Sequence, residues 1–278
     1  MDVLQCGGEV EVTGLSEFDL AKTLDCGQCF RWAADDNGAY TGVAFGRATR
    51  LRQEGGSVFI ACSIEDFEKV WRGYFDLDRD YADILRHICK DDFVREAAAF
   101  STGIRILRQD KWEALCSFIV SQCNNIPRIK KIITALCGLF GDRFEFEGDS
   151  YFAFPTANRL ATLNEADLAE IRCGYRAAYI IGAARAVADG ALDLESLERG
   201  PLGAARAELM RLRGVGGKVA DCAALYGLHL LDAFPLDVWM KRAVAEFYGE
   251  GFDARLFSPF AGVAQQFIFH YIRSLSKG

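Results

Sequence analysis

The sequence predicts an α+β protein: an N-terminal antiparallel sheet followed by a mostly α-helical body that contains two helices joined by a glycine hairpin. Three observations carry this. β-prone runs separated by hairpin turns fill the chain from Val10 to Ile60, apolar residues recur at helical spacing after Glu65, and Leu212-Arg213-Gly214-Val215-Gly216-Gly217-Lys218 sets three glycines between two helical patterns. A chain of 278 residues can form one large core or two modest ones. The boundary is expected near residue 100, with a sheet domain and flanking helices over 1–100 and a helical domain over 101–278.

In the first part, Phe30-Arg31-Trp32, the run Ala39 to Phe45 and the run Ser57 to Ile60 are β-prone. Asp36-Asn37-Gly38 and Gly55-Gly56 supply the turns between them. In the second part, Asp110-Lys111-Trp112-Glu113 has the form of a capping box, and Trp112, Leu115, Cys116, Ile119 and Val120 follow on one helical face. Pro127 opens a helix that runs from Arg128 to Phe140, as proline does in a first turn. Asn164 caps the next. A helix from Tyr175 to Ala188 ends at Gly190, and one from Leu202 to Leu212 leads into the hairpin. Helices then start near Lys218, at Val238 with Asp237 as cap, and near Pro259, the last running to about Ser274. The aromatic stretch from Gly141 to Pro155 carries neither period and is unassigned.

Composition is that of an ordinary globular chain, 51% hydrophobic and 26% charged, with no uninterrupted apolar run long enough to cross a bilayer and no basic-then-apolar leader. The expectation is a protein of the cytoplasm or nucleoid, or of the nucleus in a eukaryote, with no membrane partner. Net charge is −7, which at first opposes a polyanionic partner. Its distribution along the chain removes that objection. Residues 1–100 hold 11 Lys/Arg against 19 Asp/Glu, a net of −8, which leaves 21 against 20, a net of +1, in residues 101–278. Arg105, Arg108, Lys111, Arg128, Lys130 and Lys131 face only Asp110 and Glu113 between residues 101 and 135. A footprint of a few phosphates fits this balance, and a broad electrostatic clamp does not.

Ten cysteines do not make a disulfide scaffold in a chain this well supplied with core residues. Cys62, Cys89, Cys116 and Cys137 sit in apolar runs as small hydrophobes. Cys26 and Cys29 form a lone C-x-x-C with no second pair, a weak zinc signal. His87, His229 and His270 have no partners arranged near them in the sequence and read as structural.

The chemistry concentrates between Leu212 and Asp237. Gly214, Gly216 and Gly217 let the backbone turn tightly with amides outward. A helix starting near Lys218 aims its positive end at an anion, most simply a phosphate. Lysine there is either a phosphate clamp or, when neutral, a nucleophile, and for an arbitrary hairpin the clamp is the better reading. A nucleophilic role would require burial or a nearby cation to depress its pKa. Asp237, 19 residues later and two after Pro235, caps its helix and can also face developing positive charge.

The whole segment resembles the helix-hairpin-helix plus Gly/Pro-Asp motif of the base-excision DNA glycosylases. Lys218-Val219-Ala220-Asp221-Cys222 is similar to the 8-oxoguanine DNA glycosylase/AP-lyase branch. The likeness extends, in order, to Cys26-Gly27-Gln28-Cys29-Phe30-Arg31-Trp32, Ile104-Arg105-Ile106-Leu107-Arg108-Gln109-Asp110, Asn124-Asn125-Ile126-Pro127-Arg128, Gly174-Tyr175-Arg176 and Ala261-Gly262-Val263-Ala264-Gln265.

This resemblance implies excision of 8-oxoguanine from double-stranded DNA, preferably opposite cytosine, through a Lys218 Schiff base, with Asp237 steadying charge at the sugar and β-elimination nicking the strand. It implies a flipped-base pocket of Gly27, Cys222, Gln265 and Phe269. Tyr175 would wedge the duplex, Arg128 and Arg176 would read cytosine, and the amides of Gly214, Gly216 and Val219 would grip phosphate. Taken singly, Gly27 reads as a turn, Phe269 as core, Cys222 as filler and the arginines as surface residues. The family pattern has three consecutive asparagines where this chain has Cys123-Asn124-Asn125. Asn124 is therefore the candidate for the gap-filling contact. Trp239 stands where some members place a phosphate-binding histidine.

No cofactor is required. No cysteine follows Cys222, which excludes the C-terminal iron–sulfur loop of the endonuclease III branch. The resemblance also points to a monovalent cation on the carbonyls of Met210, Leu212 and Val215. One complete site per chain suits a monomer. Two rivals stay open: an alkylated-base glycosylase of the same fold, which would keep Asp237 without needing Lys218, and a non-catalytic helix-hairpin-helix DNA-binding module.

Overall fold

The computed structural model describes residues 1–275. A six-stranded antiparallel sheet opens the chain, built from β1 (Asp2–Cys6), β2 (Glu9–Thr13), β3 (Trp32–Ala34), β4 (Tyr40–Ala44), β5 (Arg47–Glu54) and β6 (Ser57–Ile60), in the order β1-β2-β6-β5-β4-β3. A short helix α1 (Leu20–Asp25), capped by Asp19, joins β2 to β3. Register pairs Val10 with Ile60, Tyr40 with Leu51 and Trp32 with Gly42. Alternation then turns Val10, Val12, Leu51, Val58 and Ile60 onto a common core with Trp32, Trp71, Tyr74 and Phe75. Glycine is required at 42, because a Cβ there would lie 2.3 Å from the Trp32 ring. The tryptophan in turn donates from Nε1 to the Tyr74 hydroxyl at 2.8 Å.

Two expectations for this part need correction. Phe30 is not in a strand; its ring is buried edge-on to Phe118 in the helical part, 5.7 Å between centroids. β1 lies ahead of the expected sheet, and its side chains are nearly all exposed, so it shows no hydrophobic alternation.

A helical stretch over residues 64–74, π-helical at Phe67–Trp71, closes the sheet core. Helices α2 (Tyr81–Ile88) and α3 (Asp92–Ser101) follow, and their Ile84, Ile88 and Val94 join the helical core that also holds Phe267 and Ile268. The rest comprises α4 (Lys111–Val120), α5 (Ile126–Phe140), α6 (Ala157–Ala161), α7 (Arg176–Ala188), α8 (Leu194–Arg199), α9 (Leu202–Leu209), α10 (Gly217–Tyr226), α11 (Val238–Phe247) and α12 (Ala261–Leu275). The unassigned aromatic stretch forms a hairpin of β7 (Arg143–Phe146) and β8 (Asp149–Phe152). Asn164 does cap, but what it caps is a 3-10 turn over Glu165–Leu168.

The capping box at α4 is half formed. Asp110 accepts from the Glu113 N–H at 2.8 Å, yet the Glu113 side chain turns inward to Arg31 at 3.4 Å instead of back to the cap. Burial pushes this carboxyl up to about 7, against the pull of Arg31.

Two buried polar residues tie sheet to helices. Gln28 donates to the carbonyls of Thr23 and Arg105 and accepts from the Leu107 N–H. Arg105, 2% exposed, donates to the carbonyls of Ser16, Glu17, Asp76 and Arg79. Their satisfied donors fix the loop carrying Gly27 relative to α4. Cys26 and Cys29, either side, are buried free thiols, Cys26 pushed up to about 12 by desolvation. No helix among the described residues is long and apolar enough to cross a membrane.

Candidate active site

The hairpin between α9 and α10 closes through the Val215 N–H donating to the Leu212 carbonyl at 3.1 Å. Gly214 takes φ +84° beneath the ring of Tyr179, where a Cβ would lie 2.2 Å from the ring. Gly216 is the N-cap of α10 and offers no side chain to the first-turn amides; it is exposed, with open space before it. Those amides therefore have no side-chain cap and stand at the positive end of the helix dipole, the arrangement that favours an anion.

Lys218 stands on that first turn and is half-buried. Its Nζ donates to Ser121 Oγ at 3.1 Å and lies 5.4 Å from the centroid of the Phe118 ring. One turn on, Cys222 is 3% exposed. Burial pushes its thiol up to about 11 although the Lys218 charge and hydrogen bond pull the other way. Asp237 is the N-cap of α11 and accepts from the Met240 N–H at 2.8 Å, so its carboxylate is held rigidly. Lys218 and Asp237 line one cavity of about 670 Å³, together with Gly27, Asn124 and Phe269.

Gly27, at φ +91°, has Arg273, Ile126 and Phe269 as its nearest neighbours, the Phe269 ring 3.7 Å from where a Cβ would be. The Arg273 guanidinium lies 5.3 Å from the centroid of the same ring. Cys222 and Gln265 are not on the cavity wall. Each is 3% exposed and one helical turn from a residue that is, and the Gln265 Oε1 is buried without a hydrogen-bond partner. Lys241 and Arg273 add positive charge to the wall beside Lys218.

The residues expected to face the opposite strand divide. Arg128, on the first turn of α5, is exposed, its Nη2 3.5 Å from the Arg172 carbonyl. Tyr175 is 51% exposed at the start of α7 and packs edge-on against Tyr179. Asn124 is folded back onto backbone, donating to the Val120 carbonyl at 3.1 Å and accepting from the Asn125 N–H. Arg176, read as a surface residue beside Arg128, is turned inward and 3% exposed. Its guanidinium donates to the carbonyls of Gln122, Cys123 and Cys173.

Sequence reasoning missed Ser121, Phe118, Lys241 and Arg273. Ser121 lies 97 residues from Lys218, so nothing local could have paired them.

Residues 12–115 match the family model described as the 8-oxoguanine DNA glycosylase N-terminal domain, and residues 116–253 match that of the HhH-GPD superfamily base excision DNA repair protein. The chain belongs to the 8-oxoguanine DNA glycosylase family. It is 35% identical to the N-glycosylase/DNA lyase of Saccharomyces cerevisiae over 263 residues, spanning 84% of this chain and 69% of that protein. A structure of MBOgg1 with a low-affinity DNA ligand is 42% identical and superposes with a TM-score of 0.94 over 99% of both chains. So does the Clostridium acetobutylicum 8-oxoguanine glycosylase/lyase bound to double-stranded DNA with cytosine opposite 8-oxoguanine, at 35% identity, TM-score 0.94 and 99% of both chains. These two structures thus share the full extent of the fold described here, sheet included.

Proposed function

We propose that this protein excises 8-oxoguanine from duplex DNA, preferably opposite cytosine, and nicks the strand through a Schiff base on Lys218. The observation that carries this is the meeting of Lys218 and Asp237 on the wall of one cavity of about 670 Å³, room enough for an extruded nucleotide, with Lys218 on the first turn after the hairpin.

The base leaves the stack while Tyr175 wedges the duplex, and Asn124 is the side chain placed to enter the vacated position. Gly27, bare of side chain, lets its carbonyl approach the N7–H that distinguishes the oxidised guanine. The unpartnered oxygen of buried Gln265 suits the pairing edge of the base. Phe269 meets one face of the ring from the cavity wall, and Cys222, buried one turn beyond Lys218, reaches the other face once the wall opens around the base. Once neutral, the Lys218 amine attacks C1′, and the N-glycosidic electron pair leaves with the base, which takes up a proton. The sugar ring then opens at O4′ to give the protonated imine. Loss of a C2′ proton expels the 3′ phosphate, and water finally releases the lysine. Asp237 steadies the positive charge at C1′, while Gly214, Gly216 and Val219 hold the neighbouring phosphate. Exposed Arg128 presents donors to cytosine.

The family resemblance assigns the carbonyls of Met210, Leu212 and Val215, hard oxygen donors of the hairpin, to a monovalent cation. They would hold a monovalent cation that stiffens the turn, without taking part in any step. All residues of the site come from one chain, which supports action as a monomer.

Borohydride trapping tests the proposal. A covalent adduct with an 8-oxoguanine duplex, lost in Lys218→Gln, is expected. Wild-type protein that binds such DNA but gives neither adduct nor free base would instead be a binding module.

A further inference from the structure

The loop that carries Gly27 is gripped on both sides of the glycine. After it, Gln109 Nε2 donates to the Gln28 carbonyl at 2.7 Å. Before it, the Cys26 carbonyl accepts from Gln266 Nε2 at 3.4 Å. The Gly27 carbonyl between them accepts from no donor among the described residues, and Gly27 lines the cavity that holds Lys218 and Asp237. A carbonyl with both neighbours fixed and its own lone pairs open is suited to receive an N–H from a ligand.

Gln266 follows Gln265 on α12 and is 1% exposed. Its oxygen accepts from the Tyr226 hydroxyl at 2.5 Å. A backbone carbonyl can only accept, so the amide nitrogen must face Cys26 and the oxygen must face Tyr226. Burial pushes the Tyr226 hydroxyl well above its ordinary range, which keeps it protonated and donating. Tyr226 closes α10, two turns beyond Lys218, and its ring stacks on Phe118 with 5.2 Å between centroids. Phe118 is also the ring beside the Lys218 amine. One buried side chain thus spans from the Gly27 loop to the helix that carries Lys218.

We propose that Gln266 is a positioning residue for the Gly27 carbonyl: by tying the peptide before Gly27 to the Lys218 helix, it sets where an oxidised guanine is read relative to the amine that attacks its sugar. The inference rests on the reading of Gly27 as acceptor for the N7–H and of Lys218 as nucleophile. Guanine and its oxidised form differ on this edge by that one proton, and a hydrogen bond weakens steeply as its geometry departs from the optimum. A small shift of the carbonyl therefore costs recognition. Gln266→Leu keeps most of the bulk but supplies neither donor nor acceptor. The Cys26 carbonyl and the Tyr226 hydroxyl are then left buried without this partner, and the loop moves to satisfy them.

The test compares two reactions of the whole protein. Single-turnover release of 8-oxoguanine needs the base to be read, whereas nicking of a duplex with a preformed abasic site has no base to read. Gln266→Leu is expected to slow base release by about ten- to a hundredfold, the scale of a slightly misplaced reacting group, and to nick the abasic duplex as wild type does. In a Lys218→Gln background, which holds the base in place, Gln266→Leu should also narrow the preference for an 8-oxoguanine duplex over a guanine duplex. Tyr226→Phe loses only the hydroxyl and keeps the ring on Phe118. It should move both readings the same way by less, and it decides the matter should Gln266→Leu fail to fold. Equal losses in the two reactions overturn the inference, because they report a displaced amine or a weakened fold. Unaltered base release overturns it as well. A wild-type protein that releases no 8-oxoguanine removes the proposed function and this inference together, whereas an active wild type with equal losses in the variants removes only the inference.

Discussion

Gly214 and Tyr179 are packed so closely that a single added carbon on the glycine would lie 2.2 Å from the tyrosine ring. Tyr179 also carries Tyr175 edge-on at 5.7 Å, so the hairpin proposed to hold a phosphate and the aromatic side chain proposed to wedge the duplex share one support.

Gly214→Ala should therefore displace the hairpin as well as strain a left-handed backbone, at a cost of about 1–3 kcal/mol. A lower thermal midpoint together with weaker binding to undamaged duplex is expected. Unfolding and DNA titration measure the two effects, and unaltered affinity would show that the hairpin is not part of the DNA contact.

Asp237 has two separable duties. Asparagine keeps an oxygen to accept from the Met240 N–H, so Asp237→Asn should hold stability within about 0.5 kcal/mol, while Asp237→Ala should lose about 1 kcal/mol with the cap. Both should slow excision by about 10²–10³-fold if the carboxylate faces the sugar. Denaturant melts paired with single-turnover rates check this. An active Asp237→Asn protein would reduce the residue to a helix cap.

Arg128 is exposed on the first turn of α5 and is the guanidinium proposed to read the opposite cytosine. Arg128→Ala should lose discrimination for cytosine by about tenfold or more, the worth of one to two kcal/mol of base recognition. A panel of four opposite bases reads this directly. Equal wild-type activity on all four would remove the role.

Glu113 makes stability depend on pH. Its carboxyl rises from an ordinary 4.5 to about 7 because burial outweighs Arg31 at 3.4 Å. The folded chain then holds a proton that the unfolded chain has released between these values, so this residue's share of stability falls as pH rises from about 4.5 through 7. Urea denaturation at pH 5 and pH 8 should show wild type losing roughly 1–3 kcal/mol more than Glu113→Gln. Parallel losses in the two proteins would contradict the assignment.

Much of this was legible along the chain. The turns at Asp36-Asn37-Gly38 and Gly55-Gly56, the caps at Asp110 and Asp237, and the glycine with positive φ at 214 follow from rules that act over a few residues. β1 was illegible because its exposed side chains lack alternation, and the hairpin at 143–152 because its aromatics are only half-buried. At the site, Lys218, Asp237, Gly27, Phe269 and Asn124 converge, while the inward turn of Arg176 was not legible because helical spacing alone does not say which side of α7 meets protein.

The order of residues alone sets where the backbone turns, which helices are capped and which positions carry reactive groups, since propensity and short-range hydrogen bonding govern those matters. It took the folded chain to establish that Glu113 faces Arg31 instead of its own cap, that Arg176 grips a distant turn, and that Ser121 meets Lys218. In each case a buried polar group had to find its partner across the fold, and the cost of leaving such a group unpaired outweighs any local preference.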